Sequence, residues 1–149
     1  MTKNIESIGR CISILYRSGK MYINNKFQKY NIGSGQYLFL IFLTHREGVT
    51  QEEMSGRLFI DKGTTAKAIK KLEGEGYIKR SVDDKDKRAY KVYLTEEGRK
   101  VSAEISLVLS DWNDILTCDF TEEEKEIALN LLQRMLQNKD TQTSKGECK

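Results

Sequence analysis

Residues 61–76, DKGTTAKAIKKLEGEG, run directly into residues 77–95, YIKRSVDDKDKRAYKVYLT, and these two stretches decide how the rest of the chain is read. The first has the spacing of a short helix. At about 100° per residue, Thr65, Ala66, Ile69, Leu72 and Glu73 share one sector of the helical wheel. Gly63, Thr64, Lys67 and Lys71 fill the opposite sector, with Lys70 at its border. A helix that turns small residues, hydroxyls and lysines outward suits the major groove of DNA, where hydroxyls reach base edges and lysines meet phosphates. A solvated amphipathic helix has the same pattern, so the flanking segments must decide between the two.

Those segments favour the groove. Upstream, Thr50-Gln-Glu-Glu53 is a capping box, in which hydroxyl and carboxylate satisfy each other's unpaired helix-end amides. It opens a helix from Gln51 to about Leu58 with Met54 and Leu58 inward. Phe59-Ile60 is a short turn, lacking the usual glycine, and Asp61 caps the next helix with Lys62 as its first residue. Two short helices joined by a tight turn, the second showing lysines and hydroxyls, form a helix-turn-helix. Downstream, Gly74 and Gly76 end the helix. Tyr77–Val82 and Ala89–Leu94 alternate as two strands, with Ile78, Val82, Tyr90, Val92 and Leu94 on one face. The charged loop Asp83–Arg88 joins them, making the hairpin a wing. Asp86 is expected to brace that loop through Arg88, while Lys85, Lys87 and Arg88 carry charge towards DNA.

Outward from this centre the chain is helical. Ile5, Ile8, Ile12, Leu15, Tyr16, Tyr22, Ile23, Phe27 and Tyr30 recur at three- and four-residue steps, predicting a helix from about Asn4 to Lys29. Ser34 is the expected cap of a buried helix, Gln36–Arg46, which Gly48 terminates. Thr95 caps a long helix to about Cys118. Thr121-Glu-Glu-Glu124 is a second capping box, opening a last helix with Ile127, Ala128, Leu131, Leu132, Met135 and Leu136 inward. The expected fold is mainly α with a small antiparallel β-hairpin (α+β): a winged helix-turn-helix over residues 34–100, with helical dimerisation regions at 1–33 and 101–138. Residues 139–149 are polar and expected to be a disordered tail. The apolar faces of the terminal helices exceed what one compact winged helix covers, which points to a second copy of the chain.

Composition agrees with this division. The 149 residues carry a net charge of only +3, but residues 61–100 hold 12 Lys/Arg against 8 Asp/Glu, and residues 101–140 hold 3 against 9. That asymmetry suits a polyanion on one part of the molecule. Cys11, Cys118 and Cys148 are widely spaced and His45 stands alone, so neither a disulfide framework nor a metal site is legible. There is no nucleophile–base pairing or phosphate loop to suggest an enzyme, and no cofactor is implied. No apolar run approaches the roughly 18 residues of a membrane span and no signal-peptide pattern is present, so a cytoplasmic setting is expected.

Three local patterns resemble those of the MarR family of regulators. Asp86-Lys-Arg88 followed by Val92-Tyr-Leu94-Thr95-Glu-Glu-Gly98 is similar to the family's wing signature D-x-R…V-x-L-T-x-x-G. Leu72-Glu-Gly-Glu-Gly-Tyr-Ile-Lys-Arg80 resembles its helix-to-wing junction, and Gln36 with Leu40 resembles the start of its second helix. The likeness spans about residues 5–138. Gly63 stands where the family commonly has Ser, and Lys87 where it often has Arg. The resemblance implies a homodimeric repressor on a pseudo-palindromic operator in double-stranded DNA, released by a small phenolic or aromatic ligand or by an oxidant. It implies DNA contacts from Lys62, Gly63, Thr64, Thr65, Lys67, Lys70 and Lys71 on the helix and from Lys85, Asp86, Lys87 and Arg88 on the wing. An effector pocket is expected near Arg17 and Tyr37. Cys11 lies about two residues out of register with the reactive thiol of the family's peroxide-sensing branch, so a redox role and an inert thiol both stand. A winged helix that binds protein rather than DNA is the alternative function.

Overall fold

The computed structural model describes residues 7–144. The chain forms two compact units, Met1–Trp112 and Asn113–Lys149. Among the described residues the elements are α1 (Ile8–Phe27), α2 (Tyr37–His45), β1 (Val49–Thr50), α3 (Gln51–Leu58), α4 (Lys62–Gly74), β2 (Ile78–Val82), β3 (Tyr90–Leu94), α5 (Glu96–Leu116) and α6 (Glu122–Ser144). The fold class is the expected one, helical with a small antiparallel sheet.

Helix α1 begins where Ser7 accepts a hydrogen bond from the Arg10 amide. The expected start at Asn4 lies outside the described residues. Its far end tightens into a 3-10 turn, Gln28–Tyr30, closed by Asn31 in the left-handed conformation at φ 56°. The entry to α2 corrects an expectation. Ser34 does not cap it; Gln36 precedes the helix with no side-chain cap, and its carboxamide instead accepts from the Gly33 amide at 2.8 Å. The longer glutamine side chain reaches back over the turn that Gly33 makes.

The first unit's core gathers one to three residues from each of its elements. Phe27, Phe39, Leu40, Leu43, Met54, Ile69, Leu72, Val92 and Ile105 are fully buried. Val49–Thr50 forms a third strand that the hydrophobic pattern did not announce. It pairs with β3 (Val49 with Val92), giving the order β1-β3-β2. In the hairpin, Ile78 pairs with Leu94 and Val82 with Tyr90. Ile78, Val92 and Leu94 are buried, whereas Val82 and Tyr90 are exposed because that end of the hairpin extends past the core.

The wing is locked to α5 at the turn Thr95–Gly98. The Thr95 hydroxyl accepts from the Gly98 amide at 3.0 Å and donates to the Gly76 carbonyl at 2.6 Å. A Cβ at position 98 would lie 1.9 Å from the Tyr77 carbonyl oxygen, so only glycine allows the first turn of α5 to sit on the root of β2.

In the second unit, Thr121 and Glu124 form the second capping box, with bonds of 2.9 and 3.1 Å. Helix α6 then continues to Ser144, so residues 139–144, expected to be disordered, are helical. No glycine or proline interrupts the stretch before Gly146. Ile127, Leu131, Leu132 and Leu136 are exposed, not inward.

Candidate nucleic-acid interface

The helix pair is built by its caps. Thr50 and Glu53 form the expected capping box at the start of α3, with the Thr50 amide donating to Glu53 at 2.9 Å. The turn then runs through Phe59 at φ 54°, whose amide donates to the Ser55 carbonyl. Asp61 caps α4, accepting from the Thr64 amide at 2.8 Å and from the Thr64 hydroxyl at 2.6 Å. These bonds, the hydroxyl's first, hold the Asp61 carboxyl below its ordinary range.

Lys62, Gly63, Thr64, Lys67, Lys70 and Lys71 are all exposed on α4, as a groove-facing helix requires. Two expectations fail on the opposite side. Ala66 is exposed while Ala68 is buried, so the inner stripe is Thr65, Ala68, Ile69 and Leu72. Thr65, expected at the DNA, is fully buried, and its hydroxyl finds no hydrogen-bond partner. The hydroxyl of Thr64, exposed on α4, donates its proton to Asp61, which leaves its oxygen as an acceptor.

The wing's brace differs from the expected one. The Asp86 carboxylate accepts from the Arg88 backbone amide at 3.0 Å, not from its guanidinium. Asp side chains close such turns on their own backbone two residues on. The Ala89 amide donates to the Asp86 carbonyl at 3.0 Å, and the Asp83 carboxylate accepts from the Lys85 amide at 3.0 Å. The loop is thus ordered from within, and Lys85, Lys87 and Arg88 are left exposed at its tip.

Several participants escaped the sequence reading. Glu52 forms an ion pair with Lys62 at 3.2 Å. With Gln51 it borders both a shallow groove beside Lys62 and Ala66 and another beside Asp86 and Arg88. Arg80 on β2 pairs with Glu73 on α4 and lies 5.7 Å from the Tyr90 ring centre. Glu47 accepts from the Leu94 amide at 2.7 Å and from Arg99 at 2.8 Å. Burial pushes the Glu47 carboxyl up, but these bonds and the nearby cations outweigh it and leave its pKa lowered. Such pairs join residues on different elements, from seven to 52 positions apart, and no helix or strand spacing reveals them.

The expected effector residues are not brought together. Tyr37, half-buried, lines a cavity of ≈ 200 Å³ with Tyr16, Gly19, Ile23, Leu109 and Trp112. Burial, and then the neighbouring Tyr16, raise its phenol pKa. Arg17 does not line that cavity; its guanidinium bonds Ser13 one turn back. Cys11 is half-buried and Cys118 exposed.

An exposed lysine and threonine helix beside a charged hairpin, both on one compact core, is the architecture of a winged helix-turn-helix transcription regulator. Residues 21–105 match the family described as transcriptional regulator SarA/Rot. A Bacillus subtilis HTH-type transcriptional regulator, YybA, is 32% identical over 90% of this chain and 89% of its own. A MarR transcriptional regulator from Methanosarcina mazei is 45% identical, covering 90% of this chain and 96% of its own, with a TM-score of 0.85. A MarR family regulator from Listeria monocytogenes, solved with a 26mer DNA, is 26% identical over 97% of this chain and 99% of its own, with a TM-score of 0.86. The chain belongs to the MarR/SarA family of transcriptional regulators, and it is not an enzyme. Among the described residues no helix is long and apolar enough to cross a membrane.

Proposed function

We propose that the chain is a homodimeric repressor that binds a pseudo-palindromic operator in double-stranded DNA and leaves it when a small phenolic or aromatic ligand binds. The observation that carries this reading is the exposed row Thr64, Lys67 and Lys71 on a helix whose other side is anchored by Ile69 and Leu72. Thr64 reads base edges; Lys67, Lys70 and Lys71 meet phosphates, with Lys62 held back by Glu52 until a phosphate replaces that carboxylate. The wing adds Lys85, Lys87 and Arg88 on the neighbouring backbone or minor groove. The Listeria relative was crystallised with DNA, which supports the same use of the fold here.

Dimerisation is supported by unmet apolar surface. Ile8, Ile12 and Leu15 on α1 and Leu131, Leu132 and Leu136 on α6 are each more than two-fifths exposed. A symmetric dimer covers such surface and spaces two reading helices for the two half-sites of a palindrome. The cavity beside Tyr37 and Trp112 has room for one aromatic ring, and Tyr37 supplies a hydroxyl to orient it.

The test is selection of bound fragments from a genomic library by the purified protein, with and without simple phenolic acids, and after mild peroxide for the parent and Cys11→Ser. A shared inverted repeat released by a phenolic acid is the expected result. Release by peroxide in the parent but not in Cys11→Ser would replace the ligand with the thiol. Absence of any enriched sequence would overturn operator recognition.

A further inference from the structure

Where α1 ends and α2 begins, the surface is built from carboxamides. Asn24, Asn25, Gln28, Asn31 and Gln36 line a cleft of ≈ 370 Å³ with Lys71 of α4. The turn between the helices sets how two of these amides face. The Gly33 amide donates to Gln36 Oε1 at 2.8 Å, and the Ser34 amide donates to Asn24 Oδ1 at 2.7 Å. Only the oxygen of a carboxamide can accept, so both NH2 groups are left as donors for the cleft. A Cβ at Gly33 would stand 2.7 Å from Asn24 Oδ1, so glycine there keeps the asparagine in place. Asn31 spends its NH2 on Glu75, the residue that follows α4.

Donor NH2 groups beside one ammonium ion suit an oxyanion better than a cation or an apolar molecule. The position of Lys71 says which oxyanion. It follows Thr64 by seven residues, on the same outward face and about 10 Å further along the axis. A helix whose first turn reaches base edges in a major groove about 12 Å wide brings a residue that far back to the phosphates bordering the groove. We propose that the carboxamide cleft seats a backbone phosphate of the bound DNA, held by Asn24, Gln36 and Lys71, with Asn25 and Gln28 at its rim. This rests on the DNA-binding reading above. It enlarges each reading head from helix and wing to a third contact at the opposite end of α4 from Thr64. Neutral donors suit such a contact because they fix register without adding charge.

Gln28→Glu and Asn25→Asp test the seat without touching the amides that hold the turn. Both are isosteric, exposed changes that bring a negative charge to the rim. Each should weaken binding of an operator duplex by about tenfold, as a like charge close to a phosphate does, while Thr64-dependent discrimination against random DNA is retained. On duplexes carrying one neutral methylphosphonate at successive positions, the parent should lose affinity wherever one of its phosphate contacts falls, and at the seat's position alone Gln28→Glu should lose nothing further. If both variants bind as the parent does while Lys67→Gln weakens binding, the seat is wrong and DNA binding stands. If Lys67→Gln is equally silent, the DNA reading falls and the proposal with it. Millimolar inorganic phosphate that shifts the side-chain amide resonances of Asn24 and Gln36, with no position-dependent methylphosphonate effect, would make the cleft a site for free anions and overturn the proposal.

Discussion

Arg80 grips Glu73 with two parallel hydrogen bonds, Nε to Oε2 at 2.9 Å and Nη2 to Oε1 at 2.8 Å. The pair ties the first strand of the wing to the last turn of α4. Both side chains are about one-third exposed, so the solvent-screened contribution to stability is within about 0–1 kcal/mol. Its larger effect is geometric, because a planar guanidinium fixes direction as well as distance.

Arg80→Lys keeps the charge and loses the fork. Operator affinity should fall several-fold while thermal stability hardly changes; equal affinity in a titration would show that the wing is oriented by other contacts. The bonds from Arg80, the largest influence on Glu73, hold its carboxyl below the ordinary glutamate range. The folded carboxylate therefore binds a proton less tightly than the unfolded one. Its contribution is complete above the ordinary range and is lost as pH falls through that range to the lowered folded value. Urea unfolding of Glu73→Gln across this acid limb should show a shallower loss of stability than the parent.

Adjacent threonines should behave in opposite ways. Thr64→Ala removes an outward acceptor and should cost about 1–3 kcal/mol on the operator and much less on random DNA. Thr65→Val replaces a buried hydroxyl that has no partner with a methyl of the same shape, and should raise stability by about 1 kcal/mol with no change in DNA affinity. A Thr65→Val protein that folds normally and loses operator discrimination would show that the two roles had been exchanged.

At the wing tip, Asp86→Ala takes away a negative charge, which by simple electrostatics strengthens DNA binding. Because the carboxylate holds the Arg88 amide, its loss should leave the loop to be ordered on binding and weaken affinity instead. Affinity at two salt concentrations decides between the two effects. Binding as tight as the parent's or tighter would reduce the wing to a charged loop.

What the chain disclosed in advance was whatever it encodes within three or four residues. Both capping boxes, the Asp61 cap and the ends of α3 fall in that class, as does the hairpin to within a residue at each arm. The two-residue strand β1 was invisible because Val49–Thr50 is too short to show alternation and is made by pairing with β3. Ala66 was put in the inner sector and Ala68 left out of it, because alanine is at home on either face and supplies no hydrophobic contrast. Thr65 was placed in the inner sector by the wheel and is buried there, where its methyl group packs as well as a valine's; the DNA contact implied for it by the resemblance is what its burial opposes. Glu73 with Arg80 and Glu47 with Arg99 form only once the chain has folded back on itself. Even at Asp86, where partner and spacing were anticipated, the atom was not, because a backbone amide is nearer than a flexible guanidinium.

Assembly is accessible to a direct measurement. Leu131 is 44% exposed and Met135 half-buried on α6. Replacing both with Asp should convert a dimer at micromolar concentration into monomer or aggregate in sedimentation velocity. A parent protein that sediments as a folded monomer would overturn the dimer, and with it the two-half-site operator.

Phe59 turns the chain between α3 and α4 with a left-handed backbone that side chains other than glycine's adopt at a cost of about 1–2 kcal/mol. Ser55 closes the turn from both sides, its carbonyl accepting from Phe59 and Ile60 and its hydroxyl donating to the Ile60 carbonyl. Glycine at position 59 would relieve the backbone but would also widen the set of conformations open to the unfolded chain, by about 0.5–1 kcal/mol. The backbone relief is at least as large as the cost in the unfolded chain, so through the backbone alone Phe59→Gly leaves stability unchanged or raises it slightly. Backbone strain alone therefore sets at most a weak preference for glycine in this bend, and a helix-turn-helix can carry a bulky residue there at a cost no larger than that of one surface contact.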